Sequence, residues 1–230
     1  MRTLLAIGAL VLASQAFGQQ TYVGHYDVYG GFMYLNSPYI NLQERGFHTQ
    51  GGVRLRKWLT VGADYSVGNG HTSLTPSLLK SSLQQQLGTT FAQLVALHVV
   101  PPGYNLTVPI DSTTQNFAAG PQFSDHYFRA LTLFIRPSAG AVHETATPHP
   151  QDPIATLVVS QLLPSGKKEE WTAFYGFGGG ADINVTEHFA LRVQFDFVHD
   201  HLFPDLLNSR NTLRLSIGPA LQFGRNRVEK

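Results

Sequence analysis

The residues best suited to chemistry are histidines next to carboxylates, which occur in two parts of the chain. The first is HDHLFPD and the second surrounds the dipeptide HE, and together they contain His199, Asp200, His201, Asp205, His143, Glu144 and, a few residues further on, His149. A histidine beside a carboxylate can act as a general base or bind a divalent metal ion. Such a site would make the chain an enzyme or a metal-binding protein.

The remaining parts of a catalytic motif are missing. Ser66 and Ser138 could serve as nucleophiles, but no spacing in the sequence connects either of them with a histidine. The motifs HExxH and GxSxG and the P-loop are absent. Because histidines are common in surface loops, we expect no catalytic residue, no metal site and no cofactor.

The segment that leads into HDHLFPD has the periodicity of a strand. In HFALRVQFDFV, residues 188–198, large apolar residues alternate with positions that include Arg192, Gln194 and Asp196. Strict alternation produces one apolar face and one polar face. In a soluble protein the apolar face would meet the core. In a transmembrane barrel it would meet lipid, and the charged face would line the interior.

The same alternation recurs along the chain and predicts an all-β fold, an eight-stranded antiparallel up-and-down transmembrane barrel. The candidate segments are 27–35, 47–56, 59–67, 116–123, 131–141, 174–185, 189–197 and 212–223. Most are long enough to cross a bilayer when tilted, and eight is the smallest common strand number of outer-membrane barrels. Pro137 and Pro219 fall on apolar faces, where we expect a local bulge because proline cannot donate to a ladder.

The connections between these strands alternate in length. Short turns follow the second, fourth and sixth strands, whereas longer segments follow the odd-numbered ones, at about 36–46, 68–115, 143–170 and 199–211. Short periplasmic turns and long extracellular loops are typical of outer-membrane barrels. Within residues 68–115, the segment TPSLLKSSLQQQLGTTFAQLVAL predicts an amphipathic helix that begins at Thr75-Pro76. We expect this helix to fold over the barrel mouth together with ATLVVSQLL, residues 155–163.

The first residues and the composition favour export to the outer membrane. Residues 1–18 have a positive start, a short apolar run and a small-x-small cleavage site, which predicts a signal peptide; a retained anchor is the alternative. Residues 19–230 then form the barrel domain. They carry equal numbers of acidic and basic residues, which argues against a nucleic-acid partner. Charged residues make up only 13% of the chain, about half the usual share of a soluble domain.

The inward faces of the predicted strands carry balanced charge. Four arginines face four aspartates, which we expect to form a salt-bridged network that fills the interior: Asp27, Arg54, Asp64, Arg136, Asp182, Arg192, Asp196 and Arg214. The glycines of FGGGAD, residues 177–182, are expected to leave space for the arginine side chains. The alternative is that these charges are the solvated outer face of a β-sandwich.

With the strands placed, the chain resembles the OmpA-like outer-membrane β-barrel family. The segments that carry the resemblance are DVYGGFMYL, RKWLTVGADYS, FAAGPQFS, LFIRPSAGAVHE, FGGGADINVTEHFALRVQFDF and LRLSIGPALQFG. The resemblance implies outer-membrane lipid and lipopolysaccharide as surroundings, and recognition of the strand that ends at Phe223 by the barrel-assembly machinery of a Gram-negative bacterium. Two departures are the seven residues after Phe223 and the lack of a peptidoglycan-binding domain.

Three functions follow from this interpretation. The first is a structural or surface-interaction protein that displays its loops, whose partner the sequence does not identify. The second is a porin-like channel for small solutes, which requires an open interior. The third is an outer-membrane enzyme that modifies lipids or cleaves peptides with His199 and His201. The first is expected, because balanced inward charges favour a filled interior and the histidine motifs are incomplete.

Overall fold

The computed structural model describes residues 20–101, 103–207 and 210–228, so the predicted signal peptide lies outside the described residues. Eight antiparallel strands form a closed barrel in which each strand pairs with the next and β1 pairs with β8. Their bounds are β1 Tyr26–Ser37, β2 Leu42–Arg56, β3 Leu59–Leu74, β4 Val108–Asp125, β5 Leu131–Pro148, β6 Lys168–Asn184, β7 Phe189–Asp200 and β8 Arg210–Phe223. The prediction of an eight-stranded up-and-down barrel is confirmed.

Burial along the strands follows the predicted alternation. In β8, buried and exposed residues alternate from Arg210 to Phe223 without interruption. In β7, Arg192 is fully buried, whereas Phe195 is 62% exposed. Because side chains on a strand point alternately to the two faces, the barrel has a polar interior and an apolar outer surface. This distribution is the reverse of that in a soluble protein.

Most strands are longer than the apolar pattern predicts, so the connections are shorter. Loop one covers residues 38–41, loop two 75–107, loop three 149–167 and loop four 201–209. The prediction of a long first connection at 36–46 was therefore wrong, whereas the second loop is long, as predicted, but narrower than 68–115. In β3 the outward residues Asn69, His71 and Ser73 are polar, so the apolar alternation ends before the hydrogen-bonded ladder ends at Leu74. We call this end of the barrel the long-loop end and the opposite one the short-turn end.

The two prolines interrupt their ladders without producing bulges. Pro137 interrupts the β4–β5 ladder, where the register places it opposite Pro121. Pro219 interrupts the β1–β8 ladder. At both places pairing stops and resumes in the same register. Within the described strands the one register shift is between Arg54 and Arg56. The expected bulges were wrong because proline removes a hydrogen bond but adds no residue to the strand.

Two α-helices lie in the long loops, α1 (Ser81–Ala96) in loop two and α2 (Pro153–Leu162) in loop three. The predicted start at Thr75-Pro76 is instead a short 3-10 helix, Pro76–Leu78, because the extended backbone of Leu79 separates it from α1. None of the helices in the described ranges combines the length and the apolar character needed to cross a membrane.

The apolar stripes of the two helices meet, as the sequence predicts. Leu87 and Phe91 of α1 pack against a cluster that includes Ala155, Val158 and Val159 of α2. No residue of α1 is fully buried, so its stripe is only partly covered. Loops two and three therefore form one packed unit at the long-loop end.

Asp152 connects these two loops by capping α2. Its side chain accepts hydrogen bonds from the backbone N–H groups of Ile154 and Ala155 at 2.9 and 2.8 Å. The hydroxyl of Tyr104 in loop two donates to the same carboxylate at 2.9 Å. Burial, together with the hydrogen bond to Asp152, raises the pKa of Tyr104 to about 12. The hydrogen bond from Ala155 lowers the pKa of Asp152 below its ordinary value.

The cap is expected to weaken in acid. Because the folded pKa of Asp152 is lowered, its stabilisation of α2 is complete above the ordinary value of 3.8 and is lost as the pH falls through the lowered value. Amide hydrogen exchange of Ile154 and Ala155 should therefore lose protection in that range. In Asp152→Ala, the amides of Ile154 and Ala155 should exchange without protection even at neutral pH. In Ser160→Ala, which changes an exposed residue of α2, they should remain protected. Equal protection in all three proteins would contradict the capping role.

Candidate functional site

The interior of the barrel holds three clusters of buried charged residues. Inward positions Arg192, Asp196 and Asp200 of β7 are four residues apart, which places successive charges about 13 Å apart along the strand. Each pairs across the sheet with an opposite charge, namely Arg192 with Asp182, Asp196 with Arg214 and Asp200 with Arg210. We name the groups around these pairs the short-turn, central and long-loop clusters.

The short-turn cluster consists of Asp27, Arg54, Asp182 and Arg192. The Nε atom of Arg192 lies 2.6 Å from Oδ1 of Asp182, and its Nη2 atom lies 3.0 Å from Oδ2 of Asp27. Arg54 contacts the same Asp27 oxygen at 3.5 Å and donates to the carbonyl of Gly24 at 2.8 Å. All four charged side chains are at most 2% exposed, so each guanidinium replaces lost hydration by contacts with carboxylates.

The central cluster consists of Asp64, Arg136, Asp196 and Arg214. Arg214 contacts Asp196 at 2.9 Å and Asp64 at 3.2 Å, and Arg136 also forms an ion pair with Asp64. His48 lies within 3.4 Å of Asp64. The structure thus places all eight charged residues of the predicted network inside the barrel, four in this cluster and four in the short-turn cluster.

The long-loop cluster, which the sequence did not predict, consists of Glu44, Glu144, Asp200 and Arg210. Arg210 forms ion pairs with Glu144 and, at 3.0 Å, with Asp200. Ser112 donates to Glu144 at 3.2 Å, and Thr114 donates to the buried Glu44 at 2.9 Å. Arg210 falls within the predicted connection 199–211, so its place in β8 was not expected. The alternation of β7, continued by two residues beyond Val198, places Asp200 inside the barrel, where it pairs with Arg210.

The histidine–carboxylate pairs of the sequence are separated by the strands. Glu144 and Asp200 point inward, whereas the adjacent His143 and His199 lie on the outer face. There His143 stacks on Trp171 with ring centroids 4.6 Å apart. Neighbours on a strand point to opposite faces, so neither histidine can use its adjacent carboxylate.

Outside the barrel, His199, His149 and His71 have partners at the surface. His199 contacts Asn211 at 2.7 Å and His201 through its ring, and His149 and His71 both contact Asp111. Asp205, also part of HDHLFPD, pairs with Lys168. Among the described residues, no group of three potential ligands is arranged to hold a metal ion.

The glycines of FGGGAD provide space for groups other than the arginines. A Cβ atom at Gly178 would lie 2.0 Å from a carboxylate oxygen of Asp196, and one at Gly180 would lie 2.7 Å from the ring of Phe134. Phe134 in turn packs against the guanidinium of Arg192, with 4.8 Å between that group and the ring centroid. The glycines therefore accommodate the partners of Arg214 and Arg192.

Both ends of the interior are covered. At the short-turn end, Gln20 donates to Thr132 at 2.6 Å and contacts His126 at 2.9 Å. At the long-loop end, Leu202, Phe203 and Leu207 of loop four pack into an apolar cluster with inward residues of the strands. A cavity between the central and long-loop clusters has a volume of about 10 Å³, roughly the room needed by one water molecule.

Comparison with known proteins supports the fold. No protein-family model matches the chain, and no curated protein matches its sequence. It is similar to the crystal structure of Neisserial surface protein A, with a TM-score of 0.54 and 10% identity, covering 87% of this chain and 99% of that one. The likeness shows the fold alone.

Two further solved structures are similar over comparable lengths. One is Ail, the attachment invasion locus protein of Yersinia pestis, in complex with the heparin analogue sucrose octasulfate (TM-score 0.49, 13% identity, 87% of this chain and 99% of that chain). The other is the outer membrane protein OprG from Pseudomonas aeruginosa (TM-score 0.47, 10% identity, 89% and 98%).

Proposed function

We propose that the chain is an outer-membrane barrel of the OmpA-like type that serves as a structural and surface-display protein with a filled interior. The observation that carries this proposal is the combination of an apolar outer wall with buried, paired charges inside. A soluble barrel would expose its charges and bury its phenylalanines. In a lipid bilayer the same side chains have suitable surroundings on both faces of each strand.

Aromatic residues on the outer wall support the membrane orientation. Trp58 stacks on Phe123 near the short-turn end, with ring centroids 6.0 Å apart. Further from that end, Phe117 contacts both Tyr65 and Trp171. Aromatic girdles of this kind mark the two interfaces of outer-membrane barrels. Lipid and lipopolysaccharide would then surround the wall, and loops two to four would face outward.

Membrane insertion is tested by gel migration. The purified protein in detergent should migrate faster without heating than after boiling, because a folded barrel stays compact in mild detergent. Reconstituted vesicles should protect the strands from protease while loops two and three remain cleavable. Solubility in plain buffer, with no heat-dependent shift, would contradict the proposal.

The filled interior predicts that the pure protein forms no steady channel. The charged clusters block the path between the covered ends, since an eight-stranded barrel is about filled by its own side chains. Planar-bilayer recordings should therefore show no stable openings in dilute or concentrated salt. Steady openings of uniform size would instead support the porin-like alternative.

A further inference from the structure

A small apolar cavity lies at the long-loop end, and the charged network of the interior does not explain why a cavity is present there. Its volume is about 60 Å³. Each of the four long-loop-end connections contributes apolar side chains, and the ends of β3, β4 and β5 complete the wall: Ile40, Leu74, Leu78, Ile110, Ala146 and Leu163, together with Phe203, Leu206 and Leu207. The cavity is thus built from segments that are far apart in the sequence.

The polar side chains that line this cavity already have partners. Both carboxylate oxygens of Glu144 are bonded, one to Ser112 and the other to Arg210. Thr72 donates to the carbonyl of Ile40 at 2.6 Å, and Lys168 at the rim pairs with Asp205. A charged or strongly polar ligand would lose its hydration without gaining a free partner here.

Loop four is held firmly where it forms the cavity wall. Phe203 has a φ of 53°, an unfavourable conformation for a bulky residue, yet the residue is only 4% exposed. Its N–H donates to Glu170 at 2.9 Å, and the N–H of Lys80 donates to the carbonyl of Leu206 at the same distance. These contacts offset the backbone strain and keep the apolar side chains of loop four directed at the cavity.

We propose that this cavity is a binding site for a small uncharged apolar molecule, such as a short hydrocarbon. The apolar lining determines the ligand class, because burying apolar surface is the one favourable interaction that the wall can offer. The volume limits the ligand size, since dry cavities of about 150 Å³ bind benzene or xenon and this one is smaller. The site is additional to the proposed structural role and does not depend on an open interior.

Xenon is a suitable probe because it is apolar, uncharged and small. Full-length mature protein in lipid nanodiscs, with labelled isoleucine methyl groups, would be titrated with xenon and followed by NMR. The methyl signals of Ile40 and Ile110 should shift and saturate. The lipid-facing Ile135 and Ile217 report xenon dissolved in the bilayer, and their signals should change linearly with pressure.

A matched pair of variants tests whether the saturable shift arises from xenon in the cavity. Ala146→Leu fills the cavity and should abolish the saturable shift, whereas Ala139→Leu makes the same change on the outer face of β5 and should leave it intact. Heat-dependent migration checks that both variants fold, and Leu206→Phe fills the cavity from loop four if Ala146→Leu does not fold. Linear shifts at Ile40 and Ile110, no shift, or a saturable shift that persists in the filled variants would overturn the proposal.

Discussion

Replacement of Arg192 by methionine is expected to lower the free energy of unfolding by about 3–5 kcal/mol, the usual cost of removing one partner of a buried ion pair. Arg192 is fully buried and bonds to both Asp182 and Asp27. Without it, two carboxylates would remain in the interior, and only Arg54 of the same cluster would be left to balance them. Urea unfolding in lipid vesicles, followed by fluorescence of the exposed Trp58 and Trp171, would measure the change.

Two further variants separate the charge effect from a general effect of the substitution. Arg45→Met removes an exposed arginine from the outer face of β2 and should change the stability by less than about 0.5 kcal/mol. Adding Asp182→Asn to Arg192→Met should recover part of the loss, because it removes one of the two carboxylates that Arg54 alone is left to balance. If Arg192→Met and Arg45→Met destabilise equally, the buried network does not stabilise the barrel.

Replacement of Gly180 by valine is expected to cost about 1–3 kcal/mol through overpacking. A Cβ atom at this position would lie 2.3 Å from the backbone oxygen of Val193 and 2.7 Å from the ring of Phe134. The clash with the backbone cannot be relieved by a rotamer change. Displacement of Phe134 would also remove its contact with the guanidinium of Arg192. The same unfolding measurement would detect the loss.

Gly51→Val is the control for this prediction. A Cβ atom at Gly51 would meet no heavy atom within 4 Å apart from those of its chain neighbours, and the position lies on the outer face of β2. Valine is favoured in strands, so this variant should be as stable as the wild type or more so. A similar loss in both variants would show that the effect arises from the strand backbone and not from the space beside Phe134.

Several features could be predicted because they depend on local geometry. Alternation with period two assigns each side chain of a strand to one face, so Arg192, Asp196 and Arg214 could be placed inside from the sequence. The number of strands follows from the same pattern. Helix α1 was recognised from its apolar stripe, but its start was not, because Thr75-Pro76 has the same signature for a short 3-10 helix and for an α-helix.

The partners within the interior could not be predicted. Asp64 meets Arg136 and Arg214, which follow it by 72 and 150 residues. These contacts depend on the register and closure of the barrel, which the strand pattern does not contain. The inward position of Glu144 was not predicted for a related reason, since the alternation of β5 was followed only as far as residue 141.

The sequence alone therefore determined the face of most strand residues, the number of strands and the presence of both acidic and basic side chains on the inward face. These features follow from the alternation of side chains along an extended strand, and they do not depend on which strands lie next to each other. The tertiary structure decided which charges pair, how the two ends are covered and where the apolar cavity lies. The physical reason is that each of these features joins residues from strands and loops that only closure of the barrel brings together.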